Sequence, residues 1–140
     1  MDLNPRQFTA AWDLYEFATN ALASSTQLLL LSMAWLTQLP SSALQGPAAR
    51  EPDLETLKYW FARLKPLVRQ TERDVTVVVA NRCGEEGPEA RYAGTSWVGK
   101  VGRGNIWVWK ILGKGEEGVL VVDTEEEEIR WRWRLGEQED

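Results

Sequence analysis

Histidine is absent from this 140-residue chain, and cysteine occurs once, at Cys83. Without an imidazole, no Ser-His or Cys-His dyad can form within the sequence. A zinc site would need imidazoles or a second thiolate, and the chain has neither. A lone thiol also rules out an intramolecular disulfide, so the expected setting is a reducing one, the cytoplasm or the nucleus. Long apolar runs are missing too. Leu28 to Leu31 is far short of a bilayer span. Asp2 and polar neighbours stand where a signal peptide carries its basic region, so no signal peptide is expected. Basic excess is lacking as well: 16 Lys and Arg face 21 Asp and Glu, a net charge of −5. That balance argues against nucleic acid or an anionic membrane as a partner.

What is present describes a globular chain of one domain's length, 44% hydrophobic and 26% charged. Phe8 to Leu22 has helical spacing, with Trp12, Leu14, Phe17, Ala18, Ala21 and Leu22 on one broad face. Gln27 to Ser32 and Val75 to Ala80 are continuous apolar runs, the pattern of strands buried on both faces. Between them, Thr37 to Glu51 is a Pro/Ser/Gly/Ala loop. Leu54, Leu57, Trp60, Phe61, Leu64, Leu67 and Val68 then recur at three- and four-residue steps. Asp53 suits the N-cap of this helix, and Pro66 is expected to kink its last turn.

Asn81 to Pro88 is a polar loop at a strand's C-terminal end. Tyr92 to Val98, Asn105 to Ile111 and Gly118 to Asp123 are expected strands, with breaks at Gly99, Gly102 and Gly104. The order of elements predicts an α/β layered domain with two main helices and about five strands. Two helices cover one face of the sheet. The strands after residue 90 fill the other face or extend the sheet.

Residues 125–140 form an acidic tail interrupted by Arg130-Trp131-Arg132-Trp133-Arg134. Alternating base and aromatic is the grammar of a single-strand nucleic-acid contact. Negative charge on both sides favours an edge strand instead, with Trp on one face and Arg on the other, pairing across a subunit or domain boundary. Glu85 and Glu86 have the form of an acid/base pair, although a solvated pair is the simpler account in a Gly- and Pro-flanked loop. Cys83 has no histidine to activate it, and Arg82 alone lowers a thiol pKa only modestly.

Three blocks carry a resemblance. The first is Met1-Asp2-Leu3-Asn4-Pro5 with Trp12-Asp13-Leu14-Tyr15-Glu16-Phe17-Ala18. The second is Leu28-Leu29-Leu30-Leu31-Ser32-Met33-Ala34-Trp35. The third is Val77-Val78-Val79-Ala80-Asn81-Arg82-Cys83-Gly84-Glu85-Glu86 followed by Tyr92-Ala93-Gly94-Thr95-Ser96, with Gly118 to Asp123 as a closing strand. In this order they resemble the carbon–nitrogen hydrolase (nitrilase) superfamily, most closely its fungal-type protein N-terminal amidases.

The resemblance implies that residues 1–124 are the C-terminal half of a nitrilase-like α-β-β-α sandwich. It implies a Glu-Lys-Cys hydrolase that deamidates N-terminal Asn or Gln of proteins without a metal or other cofactor. The nucleophilic Cys is expected one position before Met1, and the Glu and Lys in a half that the chain does not contain. The backbone N–H of Met1 then falls at the oxyanion position, while Asp2, Trp35 and Glu86 line or order the substrate pocket. The chain alone is therefore expected to be inactive. The alternative is a non-catalytic module that docks on a partner, or on a second copy, through exposed strand edges.

Overall fold

Asp53 starts the best-defined helix by accepting a hydrogen bond from Thr56 N (3.3 Å), with Glu55 in the first turn and Arg63 in the last. The computed structural model describes residues 12–136, with side chains described from Ala18 onward. Met1, Asp2 and the rest of the first block before Trp12 lie outside the described residues, as does the end of the acidic tail. In chain order the elements are α1 (Trp12–Ala23), β1 (Leu28–Met33), α2 (Leu54–Arg63), α3 (Lys65–Arg69), β2 (Val75–Asn81), β3 (Glu85–Glu86), β4 (Ala90–Arg91), β5 (Trp97–Gly102), β6 (Asn105–Ile111) and β7 (Trp131–Arg134). Two short 3₁₀ turns, Ser41–Leu44 and Gly46–Arg50, give the loop after β1 its shape.

The helical pattern expected through Val68 is present but divided. Leu64 leaves helical geometry (φ −89°, ψ 3°), and the chain resumes as α3 with Pro66 in its first turn, where proline's missing N–H costs nothing. Mixed α/β architecture is confirmed, with three helices among the described residues where two main ones were expected.

Five strands form one sheet in the order β1-β2-β5-β6-β7, and β3 with β4 forms a separate hairpin. β1 and β2 pair in parallel, so the chain must cross over between them, and it does so through α2 and α3. The other pairings are antiparallel. The strands after residue 90 therefore extend the sheet.

One face of the sheet carries the core. Leu29, Val75, Val77, Val79, Trp97, Val101, Ile106 and Val108 pack there against Leu57, Trp60, Phe61, Leu64, Leu67 and Val68, with Ala18 and Ala21 of α1. The other face is largely open. Leu28 is 53% exposed and Leu30 65%, and Val78 and Val98, in register with Leu30, are only half-buried. This corrects the expectation that the two apolar runs are buried on both faces: only alternate residues of β1 and β2 are covered, because all the helices lie on one side.

Three further expectations change. Tyr92 to Val98 is not one strand, since Gly94 and Thr95 adopt left-handed φ values of 53° and 61° and β5 begins only at Trp97. Gly99 lies inside β5, at a bulge where a β-carbon would collide with the Trp107 carbonyl oxygen. Gly118 to Asp123 forms no strand. Val119 and Val121 are exposed there, and the Val121 carbonyl is taken by Lys110 Nζ (2.7 Å) rather than by a strand partner. No helix among the described residues is long and apolar enough to cross a membrane.

A one-sided sheet makes a sharp contrast testable. Leu67→Ala, at a fully buried position, is expected to lower the unfolding free energy by about 2–5 kcal/mol. Leu30→Ser, on the open face, should stay within about 0.5 kcal/mol in the 140-residue chain. Urea unfolding followed by circular dichroism measures both, and a large loss for Leu30→Ser would show that the face is covered.

Candidate functional site

The C-terminal ends of β1 and β2 are joined by one buried carboxamide. Asn81 Oδ1 accepts from Trp35 N (2.7 Å), while Asn81 Nδ2 donates to Trp35 O (3.3 Å) and Gly94 O (3.0 Å). Ser96 Oγ closes the other side, accepting from Asn81 N (2.9 Å) and donating to Asn81 O (3.1 Å). An amide side chain has two donors and two acceptor positions, so it can bind both polar groups of a neighbouring chain at once. Here it fixes the chain at Trp35 as β1 ends.

From there the Trp35 ring packs on Tyr59 (centroids 5.5 Å apart) and edge-on to Trp60 (6.3 Å). Trp35 and Tyr59 form the aromatic wall of a groove of about 330 Å³, whose polar side is Thr37, Gln38, Asp53, Glu55 and Thr56. Asp53 is buried at 4% exposure, and its carboxylate is held by Thr37 Oγ1 (2.6 Å) and Thr56 Oγ1 (2.9 Å) besides Thr56 N. Its backbone N–H donates to Thr95 Oγ1 (2.9 Å), which in turn donates to Ala93 O (2.7 Å). Thr95 therefore keeps its left-handed backbone, unfavourable for a β-branched residue, because both ends of its hydroxyl are engaged.

Glu86 lies on the β3–β4 hairpin, beyond the lining of this groove. Its carboxylate meets Arg82 (2.6 Å) and accepts from Tyr92 Oη (3.3 Å), and the Arg82 guanidinium stacks over the Tyr92 ring at 4.5 Å. Both charged groups of that pair are more than half exposed, so it contributes only about 0–1 kcal/mol. Ser41 Oγ donates to Glu85, and Arg91 Nε to Leu39 O (2.7 Å), which moors the hairpin on the loop after β1. Glu85 and Glu86 thus have separate partners.

Trp35 and Glu86 share one end of the sheet, linked through Ala93 N to Trp35 O (2.8 Å) and the Leu36–Tyr92 bridge. Met1 and Asp2 lie outside the described residues. Asn81, Thr37 and Tyr59 were not singled out from the sequence. A lone Asn ending an apolar strand run was the available signal for the first, and Tyr59, off the apolar stripe of α2, for the last. Cys83 is partly buried, and this burial first, then the Glu117 carboxylate, pushes its thiol pKa up against a smaller pull from a backbone hydrogen bond and Arg82. It is a poor nucleophile at neutral pH.

Against this geometry, the chain is 32% identical to the protein N-terminal amidase of Schizosaccharomyces pombe (strain 972 / ATCC 24843). The aligned region of 136 residues covers 89% of this chain and 46% of that protein. The chain resembles part of a protein N-terminal amidase. It spans about half the length of that curated relative, consistent with the C-terminal half of a nitrilase-type domain. No protein-family profile and no solved structure matches the chain.

Two outcomes follow for the amide network and the thiol. Asn81→Ala removes the partner of Trp35 N and of Gly94 O, while Trp35 O keeps Ala93 N, and should cost about 1–3 kcal/mol and speed amide exchange at Trp35 N. Unchanged exchange there would mean that the carboxamide does not hold this loop. Cys83 should react with a disulfide reagent more slowly at pH 7.5 than glutathione does, and a faster reaction would contradict its suppressed thiolate.

Proposed function

We propose that this chain is the C-terminal portion of an amide hydrolase that deamidates N-terminal Asn or Gln of proteins in the cytoplasm or nucleus. The similarity to the fission-yeast amidase over 89% of the chain carries the reading. Two physical features support it. The apolar face of Leu28, Leu30, Val78 and Val98 has the hydrophobicity of a sheet that meets a second layer, which the remaining part of such an enzyme supplies. The only thiol, Cys83, has its pKa raised and no imidazole beside it, so the nucleophile of this reading comes from outside the 140 residues.

In this reading residues 1–124 are the partial hydrolase domain and residues 125–140 an appendage. A thiolate, generated by a Glu base, attacks the side-chain amide carbon. A Lys and the backbone N–H at Met1 stabilise the oxyanion, ammonia leaves, and water hydrolyses the thioester. Trp35 walls the substrate pocket, held in place by Asn81, while Asp2 and Glu86 order its rim. By themselves the 140 residues supply positioning and no nucleophile.

A second reading is a non-catalytic module that docks on a partner, which the exposed Leu28 and Leu30 also favour. One exchange separates the two. Replace the matching stretch of the fission-yeast amidase with these 140 residues, and measure ammonia release from a peptide with N-terminal Asn. The amidase reading expects release by the chimaera and none by the 140 residues alone. It also expects Trp35→Ala to lower kcat/KM at least about tenfold without unfolding the chimaera. A folded but inactive chimaera supports the docking module.

A further inference from the structure

On the far side of the sheet from β1, the edge strand β7 runs beside α2, and a slot of about 350 Å³ lies between them. Its floor is apolar: Leu54, Leu57 and Phe61 of α2, with Trp133 of β7, whose ring lies 5.5 Å from Phe61. Leu54 is 54% exposed, an unusual position for a leucine bordering a cavity. The rims are basic, with Lys58 on the helix and Arg132 on the strand. No carboxylate among the described residues forms an ion pair with Lys58, Arg130 or Arg132. In a chain of net charge −5, this slot is locally cationic.

The backbone adds direction. Leu135 N donates to Gly104 O (2.8 Å), so 135 and 104 are a hydrogen-bonded pair, and by alternation Trp131 and Trp133 direct their N–H and C=O toward β6. The N–H and C=O of Arg132 then point to the open edge. The Trp133 indole N–H is also buried without a hydrogen-bond acceptor among the described residues. Edge, apolar slot and cations lie within one strand's width.

We infer that β7 and the slot beside it form a docking site for an extended peptide strand that alternates acidic and apolar residues. Such a strand hydrogen-bonds to the β7 edge, lays its apolar residues over Leu54 and the half-buried Trp133, and sets its carboxylates opposite Arg132 on the other face. A second copy of the chain fits poorly. Two β7 strands paired about a two-fold axis normal to the sheet set Arg132 opposite Arg132 or Arg134, and like charges directly opposite each other repel. The surface is separate from the Trp35 groove and does not depend on the amidase reading.

The test is fluorescence anisotropy with the full 140-residue chain and two labelled peptides, one alternating Glu and Val, the other Lys and Val. The Glu/Val peptide should bind and the Lys/Val peptide should not. Arg132→Glu should weaken the first by about tenfold and admit the second, while Leu54→Glu should abolish binding of the first. Both substituted side chains are exposed, and circular dichroism confirms that each variant folds. Equal binding of the two peptides, indifference to both substitutions, or binding of a single-stranded oligonucleotide but of neither peptide overturns the assignment. So does a dimer, seen by sedimentation, that the Glu/Val peptide does not dissociate.

Discussion

The carboxamide of Asn81 is the constraint on which the candidate site depends. It binds both the N–H and the C=O of Trp35, so the chain leaves β1 in one direction and the indole is set against Tyr59 and Trp60. The same group holds Gly94 O, beside the left-handed pair Gly94 and Thr95. Thr95 in turn receives Asp53 N, and Asp53 caps α2. One buried amide thereby couples β1 and β2 to the segment entering β5, and through it to the N-terminus of the helix that walls the groove. Buried polar networks specify geometry when every member is satisfied, as the partners of Asn81 and Asp53 are here.

Much of the fold was legible because packing leaves a periodic trace. The three- and four-residue steps match the buried face of α2 and α3 from Leu57 through Val68, with Pro66 marking the break, but Leu54, the first residue of the pattern, is 54% exposed, and Thr56, outside it, is buried. Other features have no such trace. The φ of 61° at Thr95 is held by a local bond to Ala93 O together with one from Asp53 N, 42 residues away in the chain, and that second contact leaves no trace in the neighbouring sequence. The valines of Gly118 to Asp123 have strand propensity, but propensity without a pairing partner makes no strand. Asn81 was seen as the start of a polar loop because nothing in its neighbours reveals that Trp35 and Gly94 will meet it.

The expectation that failed most plainly is also the most instructive. Leu28 to Leu31 and Val77 to Ala80 have apolar residues at consecutive positions, and the described residues bury only every second one. The composition of these strands thus suits two covered faces, whereas the helices cover one. A leucine at 65% exposure opposite a half-buried valine, beside another leucine at 53%, is hydrophobic surface that water opposes. That imbalance is physical support for a second layer, independent of any similarity to another protein.

The chemistry leads the same way. Amide hydrolysis through a covalent intermediate needs a nucleophile whose pKa is lowered or whose proton is taken by a nearby base. Cys83 has the opposite: burial and Glu117 both disfavour its thiolate, and no histidine exists to take the proton. If amide hydrolysis is carried out here, the residues described supply the wall, the rim and the held loop, and the reacting groups come from outside them. The two open surfaces then divide naturally: the apolar patch of β1 and β2 suits a large apolar partner layer, and the cationic slot beside β7 a single acidic strand.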